Sequence, residues 1–371
     1  MLDRLPVELL SHILRLAAPL EYTPDKYRER RELLRRLCLV CKRVMDVAQP
    51  MLPQVFTFQR EADEAHLREG DPARGQSVRL LKLHEHYRES CPVEATLGAC
   101  RNVVDLRLSF LMDFNLGLLA DLKNLRHLTT MYTNPTCPPN LVLPNLVSAA
   151  LAGRAVQTPF FETFLTSTRL PSLRSLSIEL SSGDSRLYGT RKLPSFPLSL
   201  LRQLDDLIVG ASDIPLADLS TLEPAPVLVD CHWMELYALC SDPSPLPPAL
   251  RLYDIEYLAS SSESHLGAHD SFAVFQVLNT FRIRLFSMPL PSKQPRVLVL
   301  PGALQAKHRP LHHLVETAVK ELLDACGKIE VEVLWDSPSN RQIEPRLSSV
   351  FREWVLRDRW QRKEVEQTQS A

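Results

Sequence analysis

The chain has 371 residues, 45% hydrophobic and 23% charged, with a formal net charge of −1 at pH 7. That is enough apolar material for a sizeable core, and too balanced a charge for a disordered chain or for nucleic-acid binding by the molecule as a whole. No apolar run approaches the roughly eighteen residues a membrane span needs, so no membrane contact is expected. The opening "MLDRLPVELL" sets Asp3, Arg4 and Glu8 where a signal peptide requires an unbroken apolar stretch. Eight cysteines lie scattered at 38, 41, 91, 100, 137, 231, 240 and 326. That scatter suits reduced thiols in a cytoplasmic or nuclear protein.

Two helical segments are expected first. Asp3 suits an N-cap and Pro6 and Glu8 suit a first turn, while Leu5, Leu9, Leu10, Ile13, Leu14 and Leu16 follow helical spacing. After the break at Ala18-Pro19 to Pro24, a second run goes from about Asp25 to Val47, polar at first and then apolar at Leu33, Leu34, Leu37, Leu39, Val40, Val44 and Val47. Residues 25–43 hold eight Lys/Arg against three acids, a net of +5. Such a short helical stretch is marginal alone, and its basic face beside an apolar stripe favours an acidic protein partner.

The two pieces "LPVELLSHIL" and "LCLVCKRVMDVAQPMLPQVF", in that order, resemble an F-box, the helical motif that docks a substrate receptor onto the Skp adaptor of a cullin ubiquitin ligase. The resemblance covers roughly residues 3–58, with a longer and more charged connection from Ala17 to Glu32 than the usual link. It implies adaptor binding through Leu5, Pro6, Leu9, Leu10, Ile13, Val40, Val44 and Val47. Through the adaptor it implies a cullin as a further partner, and a protein substrate held by the rest of the chain. In this frame Cys38 and Cys41 are read as packing residues within one helix. A zinc site would need two more ligands at suitable spacing, and a redox pair would need to open a helix after a strand.

A charged linker follows over 59–76, with Gly70, Pro72 and Gly75. From Ser77 the grammar changes to short L-x-x-L-x-L pieces: "VVDLRL" at 103, "LRHLTT" at 125, "LVSAAL" at 146, "LRSLSI" at 173, "LDDLIV" at 204 and "LRLYDI" at 250. The successive separations are 22, 21, 27, 31 and 46, and the slot at 227 holds "VLVDCH". That period predicts an irregular leucine-rich-repeat-like solenoid over 77–362, without the asparagine ladder of regular repeats. Helical return segments are expected at 93–100, 159–168 and 272–281, and Pro-rich loops at 134–144, 193–197 and 242–248.

Toward the end, "PRVLVL" (295–300) and "KIEVEVLW" (328–335) read as strands flanking a helix over 310–327. "SSVFREWVLRDRWQRKEVE" (348–366) reads as an amphipathic helix capping the open end of the solenoid, before a flexible tail at 363–371. The fold class expected is therefore α+β or α/β repeat: a small helical module, a solenoid and a C-terminal capping helix. No chemistry is expected. His84-Glu85-His86, the pair His308 and His312 with His313, and the pair His265 and His269 lack further ligands or an HExxH glutamate, and no glycine-rich phosphate loop occurs. Neither a cofactor nor a metal is expected. The expected function is that of a non-catalytic receptor subunit. A repeat scaffold whose N-terminal helices only cap the solenoid is the alternative, and an enzyme with a Rossmann-like C-terminal half is a weaker third reading.

Overall fold

The computed structural model describes residues 5–17, 24–58, 72–84, 93–111, 114–133, 135–152, 163–179, 195–211, 213–214, 216–232, 235–241, 245–253, 267–287, 296–305, 313–336 and 348–370. The chain forms two compact units: Met1–Phe164 with Thr168–Ser172, and Leu165–Ser167 with Leu173–Ala371.

In the first unit, helices α1 (Val7–Ala17), α2 (Pro24–Cys38) and α3 (Lys42–Ala48) lead through a 3₁₀ turn (Gln49–Gln54) into strand β1 (Val55–Phe58). Short helix α4 (Pro72–Ser77) precedes β2 (Leu80–His84) and α5 (Val93–Ala99) precedes β3 (Asp105–Ser109), and β5 (His127–Met131) and β7 (Ser148–Ala152) follow. These strands lie parallel in the order β1-β2-β3-β5-β7, beside a small pair of β4 (Phe114–Asn115) and β6 (Pro135–Thr136). One face of the sheet is leucine-rich, with Leu81, Leu83, Leu106, Leu108, Leu128 and Leu151 all buried. The register sets Lys82 beside Arg107 and Arg107 beside Thr129 on the other face. Contrary to expectation, asparagines do stitch the turns before three of these strands. Asn102 donates to the Gln76 carbonyl at 3.0 Å, Asn124 to Asn102 Oδ1 at 3.2 Å, and Asn145 to the Lys123 carbonyl at 2.9 Å.

In the second unit, β8 (Ser175–Glu179), β9 (Asp206–Gly210), β10 (Val227–His232), β11 (Ala249–Tyr253), β12 (Val297–Pro301) and β13 (Glu332–Asp336) are again parallel, each beside the next. Helices α6 (Leu198–Gln203), α7 (Leu236–Ser241), α8 (Gly267–Ser287) and α9 (His313–Lys328) connect them, and α10 (Ser349–Ser370) ends the unit. Successive side chains alternate between faces. One set (Ile208, Leu228, Ala249, Val297 and Val299) meets Phe351 and Val355 of α10. The opposite set (Leu207, Val229, Cys231, Leu250, Leu252 and Leu298) is equally buried. Strands covered on both faces read as near-continuous apolar runs.

The structure corrects the expected fold class. It is a parallel-sheet α/β arrangement, not a free-standing helical module followed by a repeat solenoid. The N-terminal helices share one compact unit with the sheet, and β1, from residues expected to be helical-module sequence, pairs in register with β2. The C-terminal helix does not cap an end; it lies flat on the sheet. Helix α8, of 21 residues, extends well beyond the short return segment expected at 272–281. The misreading has a physical cause. Any parallel strand buried on both faces yields the same leucine-rich pieces, so their recurrence locates strands without saying what covers them.

Candidate docking surface

Helices α1 to α3 enclose a core of Leu10, Leu14, Leu34, Val44, Ala48 and Met51, with Leu33, Leu37, Cys38, Cys41, Val47 and Leu52 half-buried against it. Leu10 and Leu14 are one turn apart, so α1 presents them together. The start of α1 is fixed twice: the Leu10 amide donates to the Pro6 carbonyl at 2.9 Å, and the Arg43 guanidinium of α3 donates to the Leu5 carbonyl. Glu8 in the first turn and Arg15 in the last match the helix dipole.

The other apolar side chains of α1 face water. Leu9 is 46% exposed, Ile13 37% and Leu16 67%, and the spacing 9, 13, 16 makes them one stripe. At the α2–α3 connection the amides of Leu39 and Val40 donate to the carbonyls of Arg36 and Leu37, closing a turn that leaves Leu39 86% and Val40 57% exposed. Arg31, Arg35, Arg36 and Lys42 are exposed around them, and Arg36 donates to Glu32 at 3.1 Å.

The structure thus divides the predicted docking residues. Pro6, Leu9, Ile13 and Val40 are exposed, Leu5 and Val47 are half-buried, and Leu10 and Val44 are in the helical core. Exposed Val7, Leu16 and Leu39 join the first group. Leu16 and Leu39 already stood in the apolar pattern, whereas Val7 carried no signal of its own. Cys38 ends α2 and Cys41 precedes α3, so the pair straddles a helix break instead of lying within one helix. Both thiols are free and both pack on the helical core.

The remaining candidates stay apart. His84 ends β2, its ring 5.1 Å from that of Phe110, which stacks on Tyr132 at 5.0 Å. His313 is exposed at the start of α9. Glu85, His86, His265, His308 and His312 lie outside the described residues, as does the side chain of His269. Among the described residues no three His, Cys, Asp or Glu side chains gather as a metal site would require. Burial pushes the thiols of Cys100 and Cys326 up to about 11, which suits packing and not nucleophilic attack. No helix among the described residues is long and apolar enough to cross a membrane. No family model matches the chain, and no curated protein matches it either.

Proposed function

We propose that the chain is a non-catalytic receptor in which α1 to α3 dock onto a Skp-type adaptor and through it a cullin ubiquitin ligase, while the body holds a protein substrate. The observation that carries this reading is the outward stripe of Leu9, Ile13 and Leu16, left in water although Leu10 and Leu14 already fill the inner side of the same helix. Exposed apolar side chains gathered on one helix, beside exposed arginines, suit a partner with an apolar groove and an acidic rim. The contribution to catalysis would be effective concentration, bringing a substrate lysine to the transferring enzyme. Such a receptor works in the cytoplasm or nucleus.

The test is co-expression with the adaptor and size-exclusion chromatography, for the native chain and for L9D/I13D. The native chain should co-elute one-to-one, and the double variant should elute alone with unchanged circular dichroism. Co-elution of the variant would remove α1 from the interface. A second reading, in which these helices only cap the body, draws on the direct run from α3 into β1. It expects no co-elution for either form.

A further inference from the structure

Helix α10 rests on the sheet of the second unit through a small apolar centre, with Phe351 and Val355 buried and Val350 and Trp354 half-buried. Around that centre the contacts are ionic. Arg359 donates to Asp205 Oδ1 at 2.8 Å and to the Leu204 carbonyl at 3.2 Å. Arg352 lies 3.8 Å from Asp205 and 3.9 Å from Asp206. Arg357 pairs with Glu332, whose other oxygen accepts from Trp354 Nε1 at 2.9 Å. One pair runs the other way, Arg296 to Asp358 at 2.5 Å.

Two features set the character of this contact. The sheet side is acidic: besides Asp205, Asp206 and Glu332, the same face carries Asp230 and Asp336, which together hold the buried Arg251. An acidic face repels phosphate and attracts cationic side chains, so nucleic acids and anionic lipids are poor occupants. Between Val350 and Trp360, the described side chains of α10, the hold combines a small apolar centre with ion pairs. Among these described side chains two are buried, Phe351 and Val355, and the arginine pairs are partly exposed, worth little each and weakened by salt. The covered state also carries the cost of a carboxylate at Asp206 that is 1% exposed. Burial pushes that group up to about 6, against the lowering effects of Ser175, Arg352 and Arg359.

We propose that α10 is a displaceable strap, and that the acidic face beneath it receives in its place a basic amphipathic helix of a partner protein. The recognised pattern is the one α10 itself displays: an aromatic residue and a β-branched residue one turn apart, as Phe351 and Val355 are, flanked by arginines that reach Asp205, Asp206 and Glu332. The strap lowers the apparent affinity for the partner by the fraction of molecules in which the face is covered. This inference rests on the second unit alone and does not depend on adaptor docking by α1 to α3.

The experiment uses the full chain and a fluorescein-labelled synthetic peptide of residues 348–370 as the probe, followed by anisotropy. The variant R352E/R359E, which loosens the resident helix, should bind the peptide about tenfold more tightly than the native chain. Raising NaCl to about 0.5 M should weaken that binding, and adding Asp205→Lys should abolish it. Equal affinity of the two chains, or binding that ignores both salt and Asp205→Lys, overturns the proposal. A second measurement needs no variant: hydrogen exchange of the native chain. The α10 amides should exchange at least about tenfold faster than those of β12, by local opening. Equal protection of α10 and β12 would mean that the helix leaves only when the unit unfolds, and would overturn displacement.

Discussion

Helices α1 and α10 are both amphipathic, yet they treat their apolar side chains differently. In α1 an inner pair, Leu10 and Leu14, is buried among α2 and α3, while Leu9, Ile13 and Leu16 remain in water. In α10, Phe351 and Val355 are covered by the sheet, and a rim of arginines meets carboxylates. An apolar stripe therefore shows which side of a helix seeks cover, and only the structure shows whether the chain itself supplies it. Both helices leave apolar side chains in water, Leu9, Ile13 and Leu16 on α1 and Leu356 and Trp360 on α10; they differ in what covers the inner pair, neighbouring helices for α1 and the sheet for α10.

The largest effects should come from the covered side chains of both helices. Phe351→Ala should cost about 3–5 kcal/mol and Leu10→Ala about 2–5 kcal/mol in urea unfolding, since each leaves a void in a closed cluster. A loss below about 1 kcal/mol at Phe351 would mean that α10 is not seated on the sheet as described.

Next is Asp206, whose pKa is raised from 3.8 to about 6 by burial. The folded state holds this proton more tightly than the unfolded chain does. This group's contribution therefore falls as pH rises from about 4 to about 6 and stays low above that. Asp206→Asn, which still accepts from Ser175, should stabilise the protein at pH 7 by up to about 3 kcal/mol, with the gain vanishing below about pH 4. A loss of stability at pH 7 would show that the attraction of the nearby Arg352 and Arg359 charges outweighs the burial cost.

The smallest effect belongs to the outer stripe. Leu9→Ala should change stability by no more than about 0.5 kcal/mol, in contrast to its neighbour Leu10. Equal losses at the two positions would erase the distinction between the inner and outer sides of α1.

Much of the strand pattern was legible. "VVDLRL", "LRHLTT", "LRSLSI" and "LDDLIV" each overlap the strand found there, which ends one residue beyond the piece, because leucines and valines on alternating positions pack on a parallel sheet from both sides. The helix expected over 310–327 corresponds to α9, which runs through Gly327 to Lys328 instead of ending at the glycine. Other features were not legible, for specific reasons. "VFTF" at 55–58 is too short to tell a strand from the end of a helical stretch, so β1 went unseen. In α1, Leu9, Leu10, Ile13 and Leu14 are all apolar, and a stripe that wide does not tell which edge turns inward. For α10, the periodicity marks Phe351 and Val355 but not the sheet residues they meet, which run from Ile208 to Leu334, earlier in the chain. The asparagine stitching escaped notice because Asn102, Asn124 and Asn145 precede the strands, where an asparagine also reads as ordinary turn chemistry.

From Lys42 to Phe58 the chain passes from α3 through a 3₁₀ turn into β1 without a single residue of loop. A joint with no loop has few soft dihedrals to absorb a rotation, so a twist applied at α3 is delivered to the edge of the first sheet as torque. Whatever grips these helices thereby also sets the bearing of that sheet, much as a rigid shank sets the angle of a blade.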